Sequence, residues 1–398
     1  MNVLILTIYP IDRPRHGGQL RVRHIADGYR AAGFEVEVCG VLSSSTYHGT
    51  QGYVPCPSET SLARFHDRPD LMVDFAIGML YATDDEAFAQ LARQIRLIPD
   101  VIQVEQPWLW GFATRYAATL GPRKPRLVYS SHNVEHHVKQ SIFQAQGSSV
   151  EARKAADLVL QMEATATREA DATICVSEND ARWASQFSHR PIRVAGNGVA
   201  EWQTSLAGQR QAQAITQHFS YALFCSSAHV PNMEGFFEMF GGGFGSLSAG
   251  QRLVLVGGAS ECFRRSPRFQ HSARLPERSL IAGVVEPECL VALLDAAHCI
   301  VLPVTQGSGT NLKAAEALWA GKHIVATTMA MRGFEEFMDA PGVEIADTPG
   351  EFKKALRRAM ALPPLCLPDA ERDRRRSVLW GHCLSQLPAL LKSLPIQP

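Results

Sequence analysis

Between residues 306 and 316 the chain reads Gln306-Gly307-Ser308-Gly309-Thr310-Asn311-Leu312-Lys313-Ala314-Ala315-Glu316. This glycine-broken loop follows an apolar strand pattern, Cys299 to Leu302, and opens a helix over about Leu312 to Trp319. A second strand, His323 to Thr327, comes directly after. Main-chain amides at a helix N-terminus, reinforced by the helix dipole, form an anion site. The amides of Gly309, Thr310, Asn311 and Leu312 are therefore candidates to hold a phosphate. Glu316 lies about one helical turn inside, where its carboxylate can still face the same ligand. The pattern suits a phosphate and a sugar held side by side.

Two further segments carry chemistry-bearing residues. Ser131-His132-Asn133 ends the strand pattern Leu127 to Ser130, and ligands of open parallel sheets bind at the carboxyl ends of strands. His132 is the candidate there, although a lone histidine is more often structural. Glu135, His136 and His137 follow, without the H-x-x-E-H spacing of a zinc site. Gly17-Gly18 lies between the first strand and the first helix, with Arg13, Arg15, His16 and Arg21 making the loop locally basic. As a lone motif the pair reads equally well as a plain turn. Its other reading is a close backbone approach to an anionic ligand.

The elements that must position these residues alternate strand and helix throughout. In the first half the strands are Val3 to Thr7, Glu35 to Val41, Val101 to Val104, Leu127 to Ser130, Ala172 to Val176 and Ile192 to Ala195. Helices are expected over Leu20 to Ala32 and Val150 to Ala170. The pattern starts again with Tyr221 to Ser226, Arg252 to Val256, Leu280 to Ala282, Cys299 to Leu302 and His323 to Thr327. Such βαβ alternation predicts mostly parallel sheets covered on both faces. The fold class is thus α/β, with two tandem Rossmann-like doubly wound domains facing a central cleft. Residues 1–198 form the first and 199–376 the second, with Trp202 to His218 as a polar linker and first surface element. The apolar spacing over Ser377 to Leu394 predicts a terminal amphipathic helix, and 377–394 is expected to pack back on the first domain.

Composition bounds the function. The 398 residues are 46% hydrophobic and 20% charged, and Lys plus Arg equals Asp plus Glu at 39 each. That balance argues against a general nucleic-acid binder. Nine cysteines without a C-x-x-C pair indicate neither a zinc site nor a disulfide framework. Met1 to Thr7 reads as a strand rather than a signal peptide, so a cytoplasmic location is the default expectation. The Trp108 to Tyr116 segment and the helix after Leu80 are candidates for peripheral membrane contact, with core packing the favoured reading for the aromatic residues.

In their order along the chain, these segments resemble the GT-B glycosyltransferases of family 4, a retaining, nucleotide-sugar-dependent group. The landmarks are Gly17-Gly18, Ser131 to His136, Val176-Ser177-Glu178, Gly196-Asn197-Gly198-Val199, Val256-Gly257-Gly258, the Gly307 to Glu316 loop-helix, Ala346 to Phe352 and the segment holding Trp380. The resemblance implies that a nucleotide-diphosphate sugar binds the second domain and a saccharide, glycolipid or other acceptor the first. It implies metal-independent transfer without a cofactor, in a setting of bacterial polysaccharide or glycoconjugate assembly. His132 would reach the transferred sugar and Glu316 the ribose hydroxyls. Gly18 would approach the donor, while Gly17, Arg15, Glu135 and His136 would line the acceptor side. Gly283-Val284 falls where relatives hold the base.

The chain also departs from the family pattern. Ser308 stands where relatives carry a first glutamate that contacts the donor sugar, which marks a divergent subgroup. Ser226 to Asn232 replaces the glycine, arginine and lysine run that holds the diphosphate. Lys313, His229 or an arginine of the first domain would then supply charge, with Lys313 the first candidate; a solvated helix lysine is its equal alternative. An epimerase of the same architecture and a non-catalytic nucleotide-sugar-binding scaffold are the other readings.

Overall fold

The computed structural model describes all residues except 15, 48–50, 123, 146, 148, 242–243, 308–309 and 396–398. The chain divides into two compact units. The first is Met1–Gly196 with Cys383–Pro398, and the second is Asn197–His382.

The first unit is built on seven parallel strands: β1 (Asn2–Thr7), β2 (Glu35–Val41), β3 (Tyr53–Val54), β4 (Val101–Glu105), β5 (Arg126–Ser130), β6 (Ala172–Cys175) and β7 (Ile192–Val194). Their spatial order is β3-β2-β1-β4-β5-β6-β7. The order reverses between β1 and β4, where Leu4 pairs with Ile102 on one side and with Glu37 on the other. A crevice opens outside the strand ends at such a reversal. Helices Gly17–Ala31 and Ser149–Glu169 match their sequence patterns closely.

The second unit repeats the plan with β8 (Ser220–Cys225), β9 (Gln251–Val256), β10 (Ser279–Gly283), β11 (Cys299–Leu302), β12 (His323–Ala326) and β13 (Val343–Ile345). The order is β10-β9-β8-β11-β12-β13, reversing between β8 and β11. Alternate residues serve opposite faces, as strand geometry requires. Leu223, Val254, Val256, Ile300, Leu302 and Ile324 enter one buried cluster. Ala222, Phe224, Leu253, Leu255, Val301 and Val325 enter the other, where Phe236 stacks on Phe263 with ring centroids 4.3 Å apart.

Two expectations are corrected here. The terminal helix is broken into a 3-10 turn (Arg376–Val378) and two short helices, Trp380–Cys383 and Leu387–Ser393. Pro388 lacks the amide a continuing helix needs, so a new helix starts there. The Trp202 to His218 stretch, expected as a linker and first surface element, carries the helix Leu206–Thr216, capped by the Ser205 hydroxyl. The apolar residues proposed for membrane contact lie in the core: Trp108 is 1% exposed, and Leu80, Leu109, Trp110 and Phe112 are also buried. Among the described residues no helix is long and apolar enough to cross a membrane.

Candidate functional site

In the first unit, side chains from three strand ends meet at the topological reversal. Tyr9 follows β1, Glu105 ends β4 and His132 follows β5. All three are buried, Glu105 to 1% exposure. The Tyr9 hydroxyl lies 3.1 Å from His132 Nδ1, and His132 Nε2 lies 2.6 Å from a Glu105 oxygen. The other Glu105 oxygen accepts from the Gln103 amide at 2.5 Å, and Gln103 in turn accepts from the Tyr29 hydroxyl at 2.6 Å. Burial disfavours a charge on His132 and lowers its pKa, against the pull of Glu105. Burial alone would raise the Glu105 carboxyl, but the His132 hydrogen bond and charge, with Arg21 and Gln103, hold it below its ordinary value. The pair therefore rests as carboxylate and neutral imidazole. Nε2–H donates to Glu105, and Nδ1 accepts from the Tyr9 hydroxyl.

Gly17 and Gly18 open the first helix beside this chain of side chains. A Cβ at Gly18 would sit 2.8 Å from the Tyr9 hydroxyl oxygen, so only glycine leaves that oxygen room. His16 caps the helix by accepting from the Gln19 amide and packs edge-on to Tyr9, with centroids 5.0 Å apart. Arg21 does not join a basic loop as the sequence suggested. It is buried, and its Nη1 donates to the carbonyls of Ala195 (2.8 Å) and Gly196 (3.3 Å).

Glu135 and His136 start helix Glu135–Ala145 and are buried. The Glu135 carboxyl accepts from Gln106 (2.9 Å) and Asn133 (3.2 Å). Burial pushes it up to about 7, with those two amides opposing and Glu163 adding. Glu163, buried on helix Ser149–Glu169, accepts from the backbone amides of Glu135 (2.6 Å) and His136 (2.9 Å), and its second oxygen also meets His136 Nδ1 at 2.9 Å. A carboxylate at a helix N-terminus satisfies orphan donors and complements the dipole. Gln106, which feeds this network, holds φ of 64° despite having a side chain. Strained backbone of this kind concentrates at functional edges.

In the second unit the loop-helix is where the sequence put it, and helix Leu312–Ala320 begins at Leu312. Ser308 and Gly309 lie outside the described residues, as does Arg15 of the first unit. Thr310 accepts from Asn197 through its hydroxyl at 2.6 Å. Asn311 caps the helix, accepting from the Lys313 amide at 3.3 Å. Its own backbone amide donates to the Arg332 carbonyl (3.3 Å), so the expected use of that amide for the donor is not seen. Lys313 and Glu316 lie one turn apart and are both partly buried. Lys313 Nζ reaches Asn232 Oδ1 at 3.5 Å. Burial lowers the Lys313 pKa, with Cys225 and Glu316 opposing and Arg332 adding. Burial raises Glu316 to about 7, with Lys313 opposing. His229 precedes helix Val230–Phe240, with its pKa lowered by burial and by the charge of Lys313. Val284, just past β10, is 78% exposed.

Residues 15–201 match the family model Glycosyltransferase Family 4, and residues 222–361 match Glycosyl transferases group 1. The chain belongs to the GT-B glycosyltransferases. Solved structures share this fold. Sucrose-phosphate synthase from Thermosynechococcus elongatus superposes with a TM-score of 0.71 at 16% identity, over 99% of this chain and 98% of that one. Anabaena HepE in complex with UDP and glucose gives 0.65 at 16% identity, over 99% and 100%. The UDP-forming α,α-trehalose-phosphate synthase from Burkholderia xenovorans, in complex with glucose-6-phosphate, gives 0.58 at 14% identity, over 98% of each. Among curated proteins none matches significantly.

For this glycosyltransferase the sequence located each segment but not the partners within it. Tyr9, Glu105 and Glu163 were not singled out, nor were Asn232 and Arg332. Glu105 closes an apolar strand at the sheet reversal, and a carboxylate there is a signal that could have been read. Tyr9 and Glu163 had none, because their roles depend on residues far away in the chain.

Proposed function

We propose that this glycosyltransferase moves a sugar, with retention at the anomeric carbon, from a nucleoside-diphosphate donor to a hydroxyl of a saccharide or lipid-linked acceptor. The observation that carries the reading is the pairing of Lys313 and Glu316 on the first turns of helix Leu312–Ala320. A partly buried ammonium that reaches Asn232 Oδ1 at 3.5 Å suits the diphosphate. A partly buried carboxyl one turn on suits ribose hydroxyls, and the structures of HepE in complex with UDP and with UDP-glucose support a donor of that class. In the transfer step the acceptor oxygen bonds to the anomeric carbon as the bond to the diphosphate oxygen breaks on the same face. The acceptor proton passes to the leaving phosphate oxygen. Negative charge grows on the diphosphate, where Lys313 and the helix N-terminus stabilise it. Transfer then needs no divalent cation.

The first unit takes the acceptor. Gly18 leaves room beside the Tyr9 hydroxyl, and the carboxylate–imidazole–phenol chain makes that oxygen an acceptor for an incoming hydroxyl. The test incubates the full chain with UDP-, GDP-, ADP- and TDP-sugars and a panel of acceptor saccharides, and follows released nucleotide and product anomer by NMR. A product with the donor's anomeric configuration, formed equally well in EDTA, is expected. An inverted product would overturn the retaining step, and loss of activity in EDTA would overturn the metal-free one.

A further inference from the structure

The edge strand β3 ends at Val54, and the chain leaves it through Pro55-Cys56-Pro57. These four residues line one side of a cavity of about 470 Å³ in the first unit. Its other walls come from Ser61 and Arg64 and from helices Val73–Thr83 and Asp85–Ala92. That volume lies within the roughly 300–1,000 Å³ of small-molecule sites. The strands run parallel, so the segment after Val54 leaves the sheet at the same carboxyl edge as Tyr9, Glu105 and His132. Two strand spacings, about 10 Å, separate β3 from β1. No residue that lines the cavity belongs to the site at the sheet reversal.

Tyr81, on the last turn of helix Val73–Thr83, lines this cavity and is only 2% exposed. Its hydroxyl has no hydrogen-bond partner among the described residues, yet it is not sealed inside the fold. Burial pushes the phenol up to about 12, with the Cys56 thiol adding, so it stays neutral and can both donate and accept. A buried polar group without a partner costs free energy, and a ligand hydroxyl in the cavity would supply the partner. Glu86, Gln90 and Arg93 follow one another at i, i+4 and i+7, on one face of helix Asp85–Ala92 and its C-cap, and line the same cavity. Glu86 and Arg93 have no ion-pair partner among the described residues, whereas Arg64 and Asp84 pair with each other at 3.4 Å. Two cations and two carboxylates leave the cavity without net charge, which disfavours a phosphate or another strongly charged ligand. The wall of Val54, Pro55 and Pro57 is apolar, and its prolines offer no backbone N–H.

We propose that this cavity is a second saccharide site, which holds a sugar unit of an extended acceptor to one side of the unit that is glycosylated. That the ligand is a saccharide rests on the acceptor reading above. Each sugar hydroxyl donates one hydrogen bond and accepts others, so it can use carboxylates, guanidinium groups, an amide and a phenol together. The C–H faces of the ring pack against the proline wall. The Tyr81 hydroxyl fixes the bound unit from within, and Glu86, Gln90 and Arg93 meet it along the helix face.

The test uses the full chain with maltotriose, cellotriose, laminaritriose and mannotriose, each beside its parent monosaccharide. Transfer kinetics are measured for both lengths, and binding is followed by ligand-observed NMR. Tyr81→Phe removes the hydroxyl alone, and Gln90→Trp fills the cavity from an exposed helix position. The second site predicts that KM for the preferred trisaccharide rises about fivefold in Tyr81→Phe, the effect of one hydrogen bond, and further in Gln90→Trp. The kcat values, and KM for the monosaccharide, stay as in the wild type. A general loosening of the first unit would move both acceptors alike, so the split between them separates ligand contact from structural damage. Trisaccharide KM unchanged in both variants would overturn the second site and leave the acceptor reading standing. A wild type that uses no trisaccharide at a lower KM than its monosaccharide would do the same. A wild type that neither binds nor glycosylates any of these sugars would overturn the acceptor reading, and the second site with it.

Discussion

Glu316 and Lys313 share one turn of helix, and burial works on both against their charges. Burial holds the Glu316 carboxyl at about 7, so near neutrality it is about half ionised. Ribose hydroxyls donate best to the ionised form. Affinity for the parent nucleoside should therefore rise with pH through 7, by up to tenfold per unit on the acid side, and level off above. Calorimetry at pH 6, 7 and 8 checks this, and Glu316→Gln should flatten the profile. Glu135 makes the same argument for stability in the first unit. Its folded pKa of about 7 lies above the ordinary 4.5, so the native state holds a proton that the unfolded state has released. Stability is then fully present below about 4.5 and falls as pH rises towards 7, by about 3 kcal/mol at most. Urea unfolding at pH 5 and 7.5 should show the decline in the wild type and much less of it in Glu135→Gln. The sequence named Glu316, Glu135 and His132 because each follows a legible strand or opens a legible helix. It did not show that both nitrogens of His132 are already engaged. Tyr9 and Glu105 stand 123 and 27 residues from it, and only the strand order brings them together.

At the scale of elements, the strands were legible where buried apolar runs met turn residues, as in Glu35–Val41 and Cys299–Leu302. Tyr53–Val54 was not, because two residues are too few to show alternation, and the short edge strand Val343–Ile345 was missed as well. The terminal segment was legible as an amphipathic pattern, but its division at Pro388 was overlooked although proline announces it. The element with most to test is the junction of helix Leu312–Ala320 with the turn after β12. Asn311→Ala removes the helix cap and leaves the buried Ala330 carbonyl without its donor. The expected cost is about 2 kcal/mol of stability. Nucleoside-diphosphate affinity should fall with it, since Asn311 also fixes the start of the helix that carries Lys313 and Glu316. Chemical denaturation and calorimetry on the same variant read the two effects separately. A variant that loses stability but keeps full diphosphate affinity would show that Asn311 is a cap and nothing more.

At the scale of the molecule, one doubly wound plan is used twice. Each sheet reverses its order between a first and a fourth strand, and each unit gathers its polar side chains at that reversal. The last residues return to the first unit, where Arg126 Nη1 donates to the carbonyls of Leu391 (3.1 Å) and Leu394 (3.0 Å) and Leu387, Leu390 and Leu391 are buried. Deleting residues 383–398 should therefore destabilise the first unit by several kcal/mol through lost apolar burial and leave an earlier melting transition in calorimetry. The central claim, that the chain is built around a nucleotide-sugar donor, is tested most directly by a thermal-shift screen. The full chain is melted with UDP, GDP, ADP, TDP, CMP and their common sugar conjugates. A ligand that binds only the folded state raises the melting temperature. The account predicts a clear rise with one nucleoside diphosphate and its sugar conjugate, lost in Glu316→Ala. A cooperatively melting protein that shifts with none of them would contradict it.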